Sequence, residues 1–125
     1  MKPLDLKTFL VWTLRKASYR WPPRQKALSN AQVRVPKSSA IAKKHPRCRN
    51  FYVCAKCSAM FPRSEVSIDH VQPVVDPKKG WQGWDVYLTR MFCSVAGFQI
   101  LCSKDHDAKT KAENAVRKQY RRKAA

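Results

Sequence analysis

Apolar residues recur at helical spacing from Leu6 through Phe9, Leu10 and Leu14 to Ala17, the rhythm that lays one side of a helix against a core. Asp5 stands where a side-chain cap belongs, and Pro22 and Pro23 require the element to end by Trp21. Pro23 suits the first turn of a second, weaker helix carried by Arg24, Ala27, Leu28 and Ala31. From there to Arg49 the apolar signal fades, with Pro36 and Pro46 as breaks. It returns with a period of two. Residues 51–54 (Phe-Tyr-Val-Cys) form a short strand, 55–58 a turn, and 66–71 (Val-Ser-Ile-Asp-His-Val) an alternating second strand. Pro73, Pro77, Gly80 and Gly83 mark a loop, and Asp85 is placed to cap a short helix whose Leu88, Met91 and Val95 face inward. An apolar run over 98–102 leads into a last helix over 105–123. There Ala108, Ala112, Ala115, Val116 and Tyr120 make an apolar stripe, while Lys109, Lys111, Arg117, Lys118, Arg121 and Arg122 occupy the other faces. The pattern predicts an α+β fold, with a basic helical extension or arm at 1–49 and one small domain at 50–125.

Charge narrows the partners. The 125 residues carry 26 Lys+Arg against 8 Asp+Glu, a formal net charge of +18 with neutral histidines. That excludes a site built for cationic substrates and points to a polyanion, either nucleic acid or an anionic membrane. The longest apolar stretch, at 9–14, is far short of the roughly 18 residues of a membrane span, and too short for a signal-peptide core. The expectation is a soluble cytosolic chain that binds nucleic acid. No acidic residue lies between Asp5 and Glu65, so the first half reads as an arm that wraps a polyanion and orders mainly when bound. Arg20, Arg24, Arg34, Lys43, Lys44, Arg47 and Arg49 are its candidate phosphate contacts. Lys109, Lys111, Arg117, Lys118 and Arg121 are those of the last helix. Trp21 is read first as a packing residue and second as a stacking platform, and Trp81 and Trp84 as a cover over the core.

Five cysteines without a secretory segment are not a disulfide framework. Cys54-Ala55-Lys56-Cys57 has the spacing of a metal knuckle, and with no βαβ pattern around it a redox motif is the poorer reading. Three features follow in order: Cys54-x2-Cys57, Asp69-His70 at a strand end, and Cys102-x3-His106 with Lys109-Thr110 behind it. Over residues 50–112 this resembles the HNH nucleases of the His-metal-finger superfamily. The resemblance implies a small ββα-metal finger with a zinc knuckle and a metal-dependent DNA endonuclease that nicks one strand at a time. It implies His70 as general base, and a divalent ion, Mg2+ or Mn2+, on Asp69 and His106. It also implies structural Zn2+ on Cys54, Cys57, Cys102 and Asp105.

Hydrolysis of a phosphodiester needs those parts: a base for water and a cation for the phosphoryl and leaving oxygens. Small free-standing members of this kind belong to bacteriophages and mobile elements, which implies the host cytoplasm and a protein partner from such an element. Two positions depart from the pattern. Gly97 stands where most members have Asn, with Gln99 or Asn114 as possible substitutes. Asp105 stands where the fourth knuckle Cys belongs; a carboxylate is an acceptable zinc ligand, and Cys48 and Cys93 are the other thiols that could complete the set. The rival reading is a catalytically inactive, zinc-stabilised nucleic-acid-binding module. A basic coat or assembly protein ranks behind both.

Overall fold

The Asp5 carboxylate accepts the amide of Thr8 at 2.8 Å and caps the first helix, α1 (Leu6–Ser18), as its position in the sequence predicts. The computed structural model describes residues 5–124, with side chains through 121, so the expected side chains of Arg122 and Lys123 lie outside the described residues. The inward side of α1 differs from the expected one. Leu10, Val11, Leu14, Ala17 and Ser18 are wholly or partly buried, whereas Leu6, Phe9 and Trp12 are more than half or half exposed. The sequence offers apolar residues on two sides of this helix, and its periodicity alone does not choose between them.

Helix α2 (Pro22–Ala31) starts with both prolines in its first turn, where their missing amides cost nothing. The stretch to Arg49 was expected to be a basic helical arm that orders mainly when bound. It is docked instead: α2 lies against the strand β5 described below, Ala27 is buried, and the following strand β1 (Gln32–Val33) joins a sheet. A short helix α3 (Ala40–Lys44), capped by Ser39, leads to β2 (Phe51–Val53). β1, β2 and β3 (Met60–Pro62) form an antiparallel sheet in that order, with Tyr52 opposite both Gln32 and Phe61. A single 3-10 turn (Arg63–Glu65) separates β3 from β4 (Val66–His70).

β4 pairs antiparallel with β5 (Phe98–Cys102), and the register places Val66 opposite Cys102, Asp69 opposite Gln99 and His70 opposite Phe98. β5 is the spine of the core: Phe98, Ile100, Leu101 and Cys102 are all buried, next to Phe51 and Cys54 at 1 % exposure each. Between the two strands runs α4 (Trp84–Met91). Its cap position is held by Gly83 at φ +101°, with no side-chain bond, and not by Asp85, which lies within the first turn. Tyr87 and Met91, one helical turn apart, form its buried edge, and Leu88 is exposed. Trp81 and Trp84 pack on Tyr87 and on each other, and the Lys7 ammonium sits 4.1 Å above the Trp81 ring.

Helix α5 (Ser103–Ala124) begins two residues earlier than the pattern predicts. Of its expected apolar stripe only Val116 turns inward: Ala108, Ala112, Ala115 and Tyr120 are exposed, and Lys109, Glu113 and Arg117 are half-buried in their place. A methyl group offers little area to bury, while charged side chains with partners inside can hold the inner face. The molecule is thus mixed α+β, with small antiparallel sheets. No helix among the described residues is long and apolar enough to cross a membrane.

Candidate functional site

The knuckle is built by a hairpin and the end of β5. After β2 the chain turns through residues 54–59, closed by the Ser58 amide on the Cys54 carbonyl at 3.0 Å and the Cys54 amide on the Ala59 carbonyl at 2.9 Å. Ser58 takes a left-handed conformation, φ +63°, which brings Cys57 back toward Cys54. The Ala55 amide is held by the Ile100 carbonyl at 2.7 Å, fixing the turn to β5. The donor atoms of Cys54, Cys57, Cys102 and Asp105 all lie within 4.8 Å of one another. They are close enough to hold a metal ion, and three sulfurs with one carboxylate oxygen suit zinc. Asp105 therefore stands with the three cysteines, and neither Cys48 nor Cys93 belongs to the group.

The thiols of Cys54 and Cys102 donate to Asp105 Oδ2 at 3.2 and 3.3 Å. Those two bonds hold the Asp105 carboxyl below its ordinary range. Burial pushes the Cys102 thiol up to about 11. Burial also acts on Cys54, but the amides of Cys57, Cys102 and Lys56 outweigh it and lower that thiol. Metal uptake here has to displace the thiol protons, so it is favoured by higher pH.

The second constellation is an open cleft of about 450 Å3 beside the knuckle. Asp69, His70 and His106 all line it, so the two imidazoles, 36 positions apart by their numbers, share one cleft with the carboxylate. Strand geometry turns Asp69 and His70 to opposite faces of the β4–β5 pair. On one face the Gln99 amide donates to Asp69 Oδ2 at 3.0 Å. On the other, the His70 ring packs against Phe98 at 4.9 Å between centroids. His70 Nε2 lies 3.0 Å from the Met91 carbonyl. A carbonyl only accepts, so Nε2 carries a proton, and whenever the ring is neutral Nδ1 is its acceptor.

Asp69 Oδ1 and His106 Nε2 are 3.9 Å apart. Two bonds of about 2.1 Å would span at most about 4.2 Å, so both donor atoms are within reach of one common cation. Asp69 Oδ2 also meets the Lys109 ammonium at 2.9 Å, and Lys109 reaches Glu113 at 2.7 Å. Burial alone would lower the Lys109 ammonium, but its bonds to Glu113 and Asp69 outweigh that and raise it. Comparison with protein-family models, curated proteins and solved structures finds no match.

The basic candidates divide by position. Arg24, Lys109 and Arg117 line the cleft, joined by Arg15, which the sequence reading did not single out. Arg117 also bonds the Val75 carbonyl at 3.4 Å and Asn114 at 3.0 Å. Arg20, Arg34, Lys43, Lys44, Arg47, Arg49, Lys111, Lys118 and Arg121 are exposed outside it. At about 100° per residue, Lys111 and Lys118 point from α5 roughly 180–200° away from Lys109. Trp21 packs: its indole N–H donates to the Cys93 carbonyl at 2.7 Å, and its ring meets Phe92 edge-on.

The loop after His70 is not fixed by either substitute considered for the missing Asn. Gln99 holds Asp69 and Asn114 holds Arg117, while the Val71 amide donates to the Gly97 carbonyl at 2.9 Å. Besides Arg15, sequence reasoning missed Glu113 and the Met91 carbonyl. Glu113 had a signal, lying seven residues after His106 and four after Lys109 on one helical face. A backbone carbonyl has none.

Proposed function

We propose that the protein is a metal-dependent DNA endonuclease of the HNH kind, and that it nicks duplex DNA. The observation that carries this is one cleft lined by Asp69, His70 and His106 on a chain of net charge +18. Binding alone has no use for an imidazole whose second nitrogen is freed by a carbonyl contact, placed beside a carboxylate and a second imidazole. In this reading Asp69 and His106 hold a divalent ion, which when bound neutralises charge on the phosphoryl and leaving oxygens. His70 Nδ1 accepts the proton of a water whose oxygen attacks phosphorus. The bond to the 3′ oxygen breaks, and that oxygen takes a proton from solvent water, leaving a 3′-hydroxyl and a 5′-phosphate. Gln99 orients Asp69, and the Met91 carbonyl orients His70 and fixes its tautomer, as second-layer partners of such sites do. Arg24 and Arg117 contact the strand that enters the cleft. The knuckle, with Zn2+ on Cys54, Cys57, Cys102 and Asp105, sets the start of α5 and hence His106.

One observation favours the rival, a zinc-stabilised binding module without catalysis: Asp69 Oδ2 is already satisfied by Lys109 and Gln99. Plasmid relaxation separates the two. Wild-type protein converts supercoiled plasmid to the nicked form with Mg2+ or Mn2+ and not with chelator. His70→Ala slows nicking at least about 100-fold, the low end for loss of a general base, while DNA affinity stays within twofold. Equal binding with no metal-dependent cleavage by wild type would assign the protein to the rival class.

A further inference from the structure

Lys109 enters the sequence reading as one more phosphate contact, yet its ammonium is committed elsewhere. Nζ lies 2.9 Å from Asp69 Oδ2, 2.7 Å from Glu113 Oε1 and 3.1 Å from the His70 carbonyl oxygen, to which it donates. An ammonium has three hydrogens, and these three acceptors use them all. The side chain is only 25 % exposed, so its bonds are partly shielded from water and salt. The arrangement follows from α5: His106, Lys109 and Glu113 are spaced to share one face, and that face meets the end of β4. Asp69 is consequently divided. One oxygen faces His106, and the other is held by a cation belonging to the chain.

Resting on the reading of Asp69 and His106 as a metal seat, we infer that Lys109 is a tethered competitor for the divalent ion. In the free protein its ammonium neutralises Asp69 and repels a second cation a few ångströms away. Glu113 gives it another anchor, so it can leave Asp69 without becoming unpaired. An incoming DNA phosphate attracts the ammonium, releases Asp69 and brings its own oxygens to the ion. Metal and DNA then bind cooperatively. By linkage, the factor by which DNA tightens metal binding equals the factor by which metal tightens DNA binding. The device keeps the hydrolytic ion weakly held until a substrate is present.

The test measures Mn2+ affinity of the zinc-loaded full chain, reading free Mn2+ by electron paramagnetic resonance. Lys109→Met binds Mn2+ about fivefold or more tightly than wild type, in the range of site-to-site couplings. Lys109→Arg, which keeps the charge, stays within about twofold of wild type. Equal affinities for wild type and Lys109→Met overturn the inference, as does Lys109→Arg binding as tightly as Lys109→Met. A measurement that needs no Lys109 variant stands beside these. A short duplex tightens Mn2+ binding by wild type, with the same duplex and Asp69→Asn protein accounting for ions held by DNA itself. No tightening overturns the inference. Asp69→Asn also separates the two levels of the argument. Mn2+ binding that Asp69→Asn abolishes, but that Lys109→Met leaves unchanged, removes the competitor alone. Binding insensitive to Asp69→Asn in every protein removes the metal seat, and the competitor with it.

Discussion

At the residue scale, Gly97 has no room for a side chain. A methyl group built there would run into Cys93 Sγ and lie 2.9 Å from Cys93 Cβ. The sulfur can rotate aside; the Cβ cannot move without its backbone, and that backbone is held by the Trp21 indole on the Cys93 carbonyl. The Gly97 carbonyl meanwhile carries the Val71 amide, one residue beyond His70. Gly97, where the resemblance expects Asn, is therefore packed into place by Cys93, and the loop after His70 is held there by a backbone bond. Gly97→Ala should destabilise the fold by about 1–3 kcal/mol, the usual range for overpacking, measured by urea unfolding. In a Cys93→Gly background the same change should cost less than about 1 kcal/mol. Equal costs in the two backgrounds would place the strain elsewhere. None of this could be read from the sequence, where Cys93 was a thiol that could complete the knuckle and Gly97 a position that departs from the resemblance.

At the element scale, the weight rests on the join between β5 and α5, where Cys102, Asp105 and His106 follow one another. One buried apolar cluster is Cys54, Leu101 and Cys102, with Phe61 against it, so two of the four residues that could hold a metal lie in the core. A zinc ion held by these four residues would contribute directly to folding. Stripping zinc with a chelator should lower the melting temperature by more than 10 °C, and Asp105→Ala should lower bound zinc below one ion per chain. Full zinc occupancy in Asp105→Ala would replace Asp105 by another fourth ligand. These elements were the legible ones, because thiol spacing and strand alternation are local signals. The faces of α1 and α5 were not. Leu6 and Phe9 on α1 are as apolar as Leu10 and Leu14, and the alanines of α5 look like a core stripe until Asp69 is known to lie opposite Lys109. Which side of a helix turns inward is decided by what it meets, here a carboxylate from a strand 40 positions earlier in number.

At the scale of the whole molecule, a net charge of +18 on 125 residues makes the free protein self-repelling and its binding electrostatic. Each phosphate neutralised on duplex DNA contributes about 0.9 to the fall of log affinity with log salt concentration, so the slope counts contacts. Geometry says which cations should count. Arg24 and Arg117 line the cleft, whereas Lys111 and Lys118 leave α5 on the opposite side. Replacing Arg117 by Gln should reduce the salt slope by about 1, and replacing Lys118 by Gln should leave it unchanged, read by fluorescence anisotropy from 50 to 300 mM NaCl. If both substitutions reduce the slope equally, DNA wraps α5 rather than lying in the cleft. The charge would then serve to coat a polymer, and a single strand would have no reason to pass His70.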